Sequence, residues 1–328
     1  MEPTIFVTGG AGYVGSHCCK AFAATGWNVV VYDSLYRGWR DFVKWGRLIE
    51  GDIRNAGALS AAVAEVRPDA VAHFAALAYV GESVSDPGSY YDVNTRGTLN
   101  LLQAMAAQGL DKIVFSSTCA TYGNPERLPI TEDTPQQPIN PYGASKLFVE
   151  RMLRDFGHSH AIRSVALRYF NAAGADPDGE LGERHEPETH LIPLAIAAAR
   201  PGSDALTVFG DDFSTADGTC IRDYIHVADL ADAHVLALRH LFAGGASEVF
   251  NLGTETGTSV SGVIEAVARV SGKNVHHTYG PRRAGDPPVL VASAAKAREQ
   301  LGWQPQHSDI ETIIQHAWRW HTADGPAG

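Results

Sequence analysis

Short runs of β-branched and aromatic residues alternate with longer stretches whose apolar positions recur every three or four residues, and this alternation fills the first half of the chain. The runs at 4–8, 28–33, 47–50, 69–74, 111–116 and 162–169 have the length and composition of strands, whereas 13–25, 56–66, 87–107 and 141–157 carry the helical period. Strands joined through helices pair in parallel. The pattern predicts an α/β fold, a doubly wound parallel sheet of Rossmann type. From about residue 175 the texture changes: a Gly, Pro, Asp and Glu-rich stretch, 174–187, leads into mixed short helices and strands. This divides the chain into a first domain at 1–174 and a smaller C-terminal mixed α/β domain at 175–328, with some segments crossing back to the first. Residues 323–328 read as a frayed tail.

Composition narrows the class. A chain of 328 residues with 45% hydrophobic content can bury a large core. A net charge of −11 argues against nucleic-acid and anionic-membrane partners, although a local basic pocket for a diphosphate stays open. The four cysteines, Cys18, Cys19, Cys119 and Cys220, include an adjacent pair and no C-x-x-C, so a disulfide framework is not expected. No basic segment precedes a long apolar run, and Leu191–Ala199 is too short to span a bilayer, which points to the cytosol.

The first strand-like run, Thr4 to Thr8, is followed at once by Gly9-Gly10-Ala11-Gly12-Tyr13-Val14-Gly15. Gly10, Gly12 and Gly15 fit G-x-G-x-x-G, and Gly9, Gly12 and Gly15 fit the wider G-x-x-G-x-x-G. Glycines here let the backbone approach a pyrophosphate that rests on a helix N-terminus. The second run ends at Asp33, eighteen residues past Gly15, where a carboxylate accepts hydrogen bonds from an adenosine ribose diol and repels a 2′-phosphate. The expected cofactor is NAD. Asp52-Ile53 and Phe74-Ala75-Ala76 follow the next two runs, the latter with small residues suited to packing against a dinucleotide.

Tyr142 and Lys146 lie four residues apart in Asn-Pro-Tyr-Gly-Ala-Ser-Lys, and Pro141 suits a first helical turn, so one helical face carries both. Ionising a phenol of pKa near 10 at neutral pH requires roughly 4 kcal/mol. A cation about 4 Å away at an effective dielectric near 20 supplies a comparable amount before desolvation. Thr118, 24 residues before Tyr142, follows the run ending at Ser116 and lies at the sheet edge where ligands bind. Its hydroxyl can bridge a sugar oxygen and the phenolate, or cap the next turn. Arg222-Asp223-Tyr224 and Pro281 to Asp286 offer guanidinium forks to a diphosphate, against the ordinary alternative of solvated arginines. In His185-Glu186-Pro187-Glu188-Thr189-His190 the proline interrupts any helix and the histidines are five apart rather than four, so no metal is expected.

On these residues the chain resembles the UDP-glucose (UDP-galactose) 4-epimerases of the extended short-chain dehydrogenase/reductase family, over essentially its whole length. The matching segments are Thr8–His17, Val80–Ser83, Pro141–Lys146, Leu167–Asn171, Asp217–Thr219, Arg222–Val227, Pro281–Arg283 and Gly285–Asp286. The resemblance implies inversion at C4 of a UDP-hexose, with Tyr142 as the proton acceptor, Thr118 as its relay and Lys146 on the nicotinamide ribose. It implies cofactor contacts at Gly9, Gly12, Tyr13, Val14, Gly15, Asp33, Asp52 and Ile53. Further cofactor contacts are Phe74, Ala75, Ala76, Asn94, Ser116, Tyr142, Lys146 and Tyr169. Substrate contacts fall on Thr118, Tyr142, Asn171, His190, Leu191 and Leu206, and on Phe209, Arg222, Tyr224, Arg283, Asp286 and Leu290. It also implies a homodimer through the helices near 87–107 and 141–157, which carry Tyr90, Leu102, Leu147 and Met152.

Two positions depart from the family. Ala78 stands where many members have a lysine, and Leu290 is intermediate between the tyrosine of restrictive members and the smaller residues of permissive ones. UDP-N-acetylhexosamines therefore stay open as substrates, as do UDP-xylose and UDP-arabinose through the pentose-epimerase-like stretch Ser116–Gly123. Sugar-nucleotide dehydratases place Asp-Glu after the hydroxyl residue, where this chain has Cys119-Ala120. A non-catalytic NAD-sensing protein has no need of an activated phenol.

Overall fold

In the computed structural model the described residues are 2–283 and 286–323, so Gly285 of the matched segment and residues 324–328 of the expected tail lie outside them. The first half runs β1 (Thr4–Thr8), α1 (Tyr13–Ala24), β2 (Asn28–Asp33), β3 (Arg47–Glu50), α2 (Ala56–Val66), β4 (Ala70–His73), α3 (Val80–Ser85) and α4 (Pro87–Tyr90). It continues with α5 (Gly97–Ala107), β5 (Lys112–Ser116), α6 (Pro141–His160), β6 (Arg163–Tyr169) and β7 (Asn171–Ala173). Beyond lie α7 (Leu191–Ala198), β8 (Leu206–Phe209), β9 (Ile221–Arg222), β10 (Tyr224–His226), α8 (Val227–Phe242) and β11 (Glu248–Leu252). The chain ends in β12 (Thr258–Ser259), α9 (Val260–Ser271), β13 (His277–Gly280), β14 (Val289–Leu290), α10 (Ala295–Leu301) and α11 (Ile310–Thr322).

Seven parallel strands form the main sheet in the order β11-β6-β5-β4-β1-β2-β3, with the direction of winding reversing between β1 and β4. Successive side chains of β1 serve opposite faces. Ile5 and Val7 pack with Cys18 and Phe22 of α1 and Leu230 and Leu238 of α8, whereas Phe6 packs with Leu59 and Val63 of α2 and Leu101 and Met105 of α5. Both faces are covered, which explains the near-continuous apolar runs. Each such side chain contributes roughly 1.5–3 kcal/mol on burial.

Two features differ from the expected elements. The seventh strand, β11, escapes recognition because Glu248 and Asn251 interrupt its apolar run, although Asn251 is fully buried and its side chain bonds Tyr122 and the Ile130 carbonyl. The expected helix 87–107 is divided by a π-helical turn, Tyr91–Arg96, that carries Asn94. Such turns recur at functional sites. A separate core joins α7, β8, α9 and α11 through Ile192, Ile196, Val208, Val263 and Ile313. Among the described residues no helix is long and apolar enough to cross a membrane.

Candidate active site

The glycine turn leaves β1 with Gly9 at φ +76, and a Cβ there would lie 2.4 Å from Ala75 N. A Cβ on Gly15 would lie 2.2 Å from the Gly9 carbonyl. Gly12 is different: its only neighbour within 4 Å is Gly9 O at 3.4 Å, so open space lies against it. Gly12 also begins α1 with no side-chain cap, which leaves first-turn N–H groups to face an anion. Asp33 ends β2 buried, its Oδ2 accepting from Ala11 N at 3.0 Å and its Oδ1 from Leu35 N at 2.8 Å. Burial raises its pKa, and the two backbone hydrogen bonds pull it back. This open cradle and the fixed carboxylate fit the diphosphate and ribose of NAD.

The surrounding positions divide into contacts and supports. Phe74 packs at 4.8 Å against His234, and Ala75 N donates to Thr8 O at 3.0 Å, which draws the Phe74–Ala76 segment against β1. Asp52 sits beside Ile53 and is paired with Arg54 at 2.6 Å, which lowers its pKa. Tyr13 donates its hydroxyl to Gly174 O at 2.7 Å, so this side chain joins α1 to the segment after β7, with Val14 next in the turn. The Asn94 carboxamide is buried and engages Leu77 N at 2.8 Å, Leu77 O at 3.0 Å and Ser145 Oγ at 3.0 Å. Its side chain therefore positions the loop after β4 against α6.

Helix α6 starts at Pro141, with Asn140 accepting from Gly143 N at 2.8 Å, and this start places Tyr142 and Lys146 on one face. Buried Lys146 donates Nζ to Ser116 O at 2.8 Å and lies 4.9 Å from the Phe115 ring and 6.0 Å from the Tyr142 ring. Ser116 Oγ and Tyr169 OH are 2.5 Å apart beside it. Burial pushes the Tyr142 phenol up to about 12, with the Thr118 hydroxyl pulling it down, and burial brings Lys146 down to about 7. The ammonium lies over the ring face and is bound to a carbonyl, which leaves room for the further positive charge of a nicotinamide ring to act on the phenol. Thr118 also accepts from Ala120 N at 3.1 Å, so it caps the turn Cys119–Tyr122 as well as facing Tyr142.

Sequence reasoning missed the supports of this centre. Fully buried Tyr90 meets Tyr142 edge-on at 6.5 Å and donates to Tyr79 O at 2.6 Å. Glu150, one turn beyond Lys146, accepts from Arg168 Nε at 2.9 Å and from Ser117 Oγ at 2.5 Å, while Arg168 Nη1 donates to Tyr122 OH at 2.6 Å. The i,i+4 spacing from Lys146 was the available signal for Glu150; nothing local marked Arg168 as its partner.

On the opposite wall β9 and β14 align Arg222 with Leu290, and Arg222 is ion-paired with Asp286. The Arg283 guanidinium lies 4.2 Å over Phe209, and Asp286 N donates to Arg283 O at 3.2 Å. These residues are thus gathered together. Arg282 pairs instead with Asp212. Leu290 packs on the cluster of Cys119, Tyr122, Ile130 and Ala292, which brings this wall to the loop bearing Thr118. Pairing of β7 with β10 sets Asn171 beside Tyr224, whose buried phenol is raised well above its usual pKa by desolvation. His190 immediately precedes α7, which opens with Leu191. Leu206 is a correction: β8 alternates, and Leu206 points with Val208 into the α7/α9/α11 core while Phe209 is exposed. Its side chain is core, not site.

The model of the NAD dependent epimerase/dehydratase family matches residues 5–253. A UDP-glucose 4-epimerase of Rhizobium meliloti (strain 1021) is 53% identical over 324 residues, covering 99% of this chain and 98% of the relative. The crystal structure of a UDP-glucose 4-epimerase from Brucella ovis in complex with NAD aligns with a TM-score of 0.94 at 52% identity, covering 96% of this chain and 97% of that one. A UDP-glucose 4-epimerase from Bifidobacterium longum in complex with NAD+ and UDP aligns at 0.92 with 38% identity, covering 97% and 98%.

Proposed function

Since the chain belongs to the NAD dependent epimerase/dehydratase family, we propose that it interconverts UDP-glucose and UDP-galactose by inverting C4, with Tyr142 as the proton-transfer group. The observation that carries this reading is the convergence of Tyr142, Thr118, Lys146 and Ser116 at the carboxyl ends of the strands, beside a glycine cradle fit for NAD. NAD, held by the glycine cradle and Asp33, would supply the acceptor and donor for the C4 hydride together with a positive charge. Tyr142 takes the 4-hydroxyl proton as the hydride leaves and gives it back as the hydride returns, so the net redox change is zero. Thr118 orients the hydroxyl. Lys146, held by the Ser116 carbonyl, places its donors toward the nicotinamide ribose. Arg222 and Arg283 hold the diphosphate, which leaves the hexose free to turn between the two hydride transfers.

The same reading assigns residues 175–328 chiefly to the nucleotide sugar and places the protein in the cytosol, consistent with its free, buried cysteines. For a homodimer, the face differs from the residues expected: Tyr90, Leu102 and Leu147 are buried within the subunit. Exposed Tyr91 and Phe148, with rings 6.3 Å apart, are the apolar pair available on those helices. Leu290 packs against the Thr118 loop at intermediate size, so a panel of UDP-glucose, UDP-N-acetylglucosamine and UDP-xylose defines the sugar. The deciding experiment is Tyr142→Phe: turnover falls about 10²–10⁴-fold while NAD is retained. Unchanged turnover defeats the mechanism.

A further inference from the structure

The non-helical stretch from Glu183 to His190 folds back so that Glu183, His185, Glu188 and His190 turn their ligand atoms toward one another, all within 4.8 Å. His185 Nδ1 lies 3.3 Å from Glu183 Oε1 and 3.6 Å from Glu188 Oε2. His190 Nδ1 lies 2.7 Å from Glu183 Oε1 and 3.4 Å from Glu188 Oε1. Yet Glu183 Oε1 and His185 Nδ1 are buried with no hydrogen-bond partner, and the Glu183 side chain is only 3% exposed. A hydrogen-bonded ion pair would aim each N–H along the line to an oxygen. Here the four ligand atoms are instead gathered within 4.8 Å of one another. A tetrahedral ion with bonds of about 2.0–2.2 Å separates its ligands by roughly 3.3–3.6 Å. The separations of His185 Nδ1 from Glu183 Oε1 and from Glu188 Oε2, 3.3 and 3.6 Å, match that spacing, whereas His190 Nδ1 lies closer to Glu183 Oε1, at 2.7 Å, and would have to draw back about half an ångström on binding an ion.

A second cluster shows what the first lacks. Asp176, Asp178 and Glu180 are also gathered, but Lys20 Nζ sits among them at 2.8, 2.8 and 2.7 Å and supplies the positive charge. Among the described residues no lysine or arginine pairs with Glu183 or Glu188. Tyr13 and Tyr79 wall the site, with ring centroids 6.1 and 5.8 Å from His185. Trp39 and Trp320 pin its backbone by donating to Arg184 O at 3.0 Å and Glu183 O at 3.2 Å. The nearby Arg184 and Arg37 turn away, Arg184 stacking 4.0 Å over Trp39 and Arg37 reaching Glu82 at 2.7 Å.

We propose that Glu183, His185, Glu188 and His190 form a binding site for one divalent first-row transition ion, of which Zn²⁺ best suits a two-imidazole, two-carboxylate set. The sequence argument against a metal, a missing helix and five-residue spacing, applies to the helical motif and not to a folded-back loop. The ion fixes the segment between the glycine-turn helix and α7, and takes no part in hydride or proton transfer.

The test uses the NAD-loaded protein, stripped with chelator, incubated with ZnCl₂ or CoCl₂, and desalted. One equivalent of metal per chain is expected, and X-ray absorption should show an oxygen/nitrogen shell with two imidazoles. No retained metal, or a shell containing sulfur or lacking imidazole, overturns the proposal. His185→Gln and Glu183→Gln should weaken Zn²⁺ binding by more than the about 10–100-fold typical of losing an outer-shell partner. Undiminished affinity in either variant, with NAD retained as the sign of folding, overturns it too. None of these outcomes bears on whether the enzyme epimerises.

Discussion

On the proposed reading, the cofactor edge and the substrate wall of this protein recognise phosphates by opposite means. At the cofactor edge the backbone does the work: Gly9 and Gly15 leave no room for a Cβ, and Asp33 is fixed by two backbone donors. At the substrate wall the work falls to long side chains that are paired with one another, Arg222 with Asp286 and Arg283 over Phe209. A backbone cradle cannot relax, whereas paired side chains can exchange a protein partner for a ligand. The difference suits a reaction in which the dinucleotide stays and the sugar has to turn. The sharpest way to break the comparison is Gly15→Ala, whose Cβ would fall 2.2 Å from the Gly9 carbonyl and 3.0 Å from Gly10 Cα. Because the obstacles are backbone, the expected outcome is loss of copurifying NAD and a stability cost of about 3 kcal/mol, at the upper end for overpacking. Full NAD content at wild-type stability would show that the cradle yields.

Legibility follows the same division. Everything built from neighbouring residues could be read from the chain: the strand–glycine–helix turn, Asp33, and the Tyr142/Lys146 face. What was hidden depends on distant partners. Glu150 meets Arg168 across α6 and β6, and β11 is disguised by an asparagine whose bonds go to Tyr122 and Ile130. Leu206 was misplaced because a resemblance aligns segments, whereas strand alternation decides which side chain faces the ligand. At His185–His190 the chain shows the ligand types, and the expectation of no metal rests on their lack of helical spacing, whereas the folding back that gathers them with Glu183 has no regular period.

Histidines sharpen the contrast. Around the cofactor edge His17, His73 and His234 are buried and neutral, with pKa values lowered by desolvation to about 4, 3 and 4. At the loop beyond, His190 is raised to about 10, chiefly by Glu183 once desolvation is overcome. For the three lowered groups the unfolded chain binds more protons below its own pKa of about 6.5, so stability falls as pH drops toward the folded values. Between pH 6.5 and 5 each should cost about 2 kcal/mol. Urea unfolding at saturating NAD should show this loss, and His234→Phe should remove about 2 kcal/mol of it. His234 suits the replacement because its Nε2 has no partner and its ring packs on Phe74. An unchanged pH slope in that variant would mean His234 is not held neutral.

The substrate wall should respond more mildly, and unequally, since its two arginines differ in setting. Arg222 is largely buried, with 13% of its side chain exposed, and is tied to Asp286 and to the Ile221 carbonyl at 2.8 Å. Replacing its fork with an ammonium, Arg222→Lys, should raise KM for the UDP-sugar roughly tenfold, about 1.4 kcal/mol, with kcat little changed. Arg283 is exposed and held by Phe209, a contact worth about 0.5–1 kcal/mol, so Arg283→Ala should raise KM only about 2–5-fold. The ratio of the two effects is the informative quantity, because it separates an anchored arginine from a swinging one. A loss of kcat in either variant would place that arginine at the sugar rather than the diphosphate, and the division between a gripped nucleotide and a turning hexose would then fail.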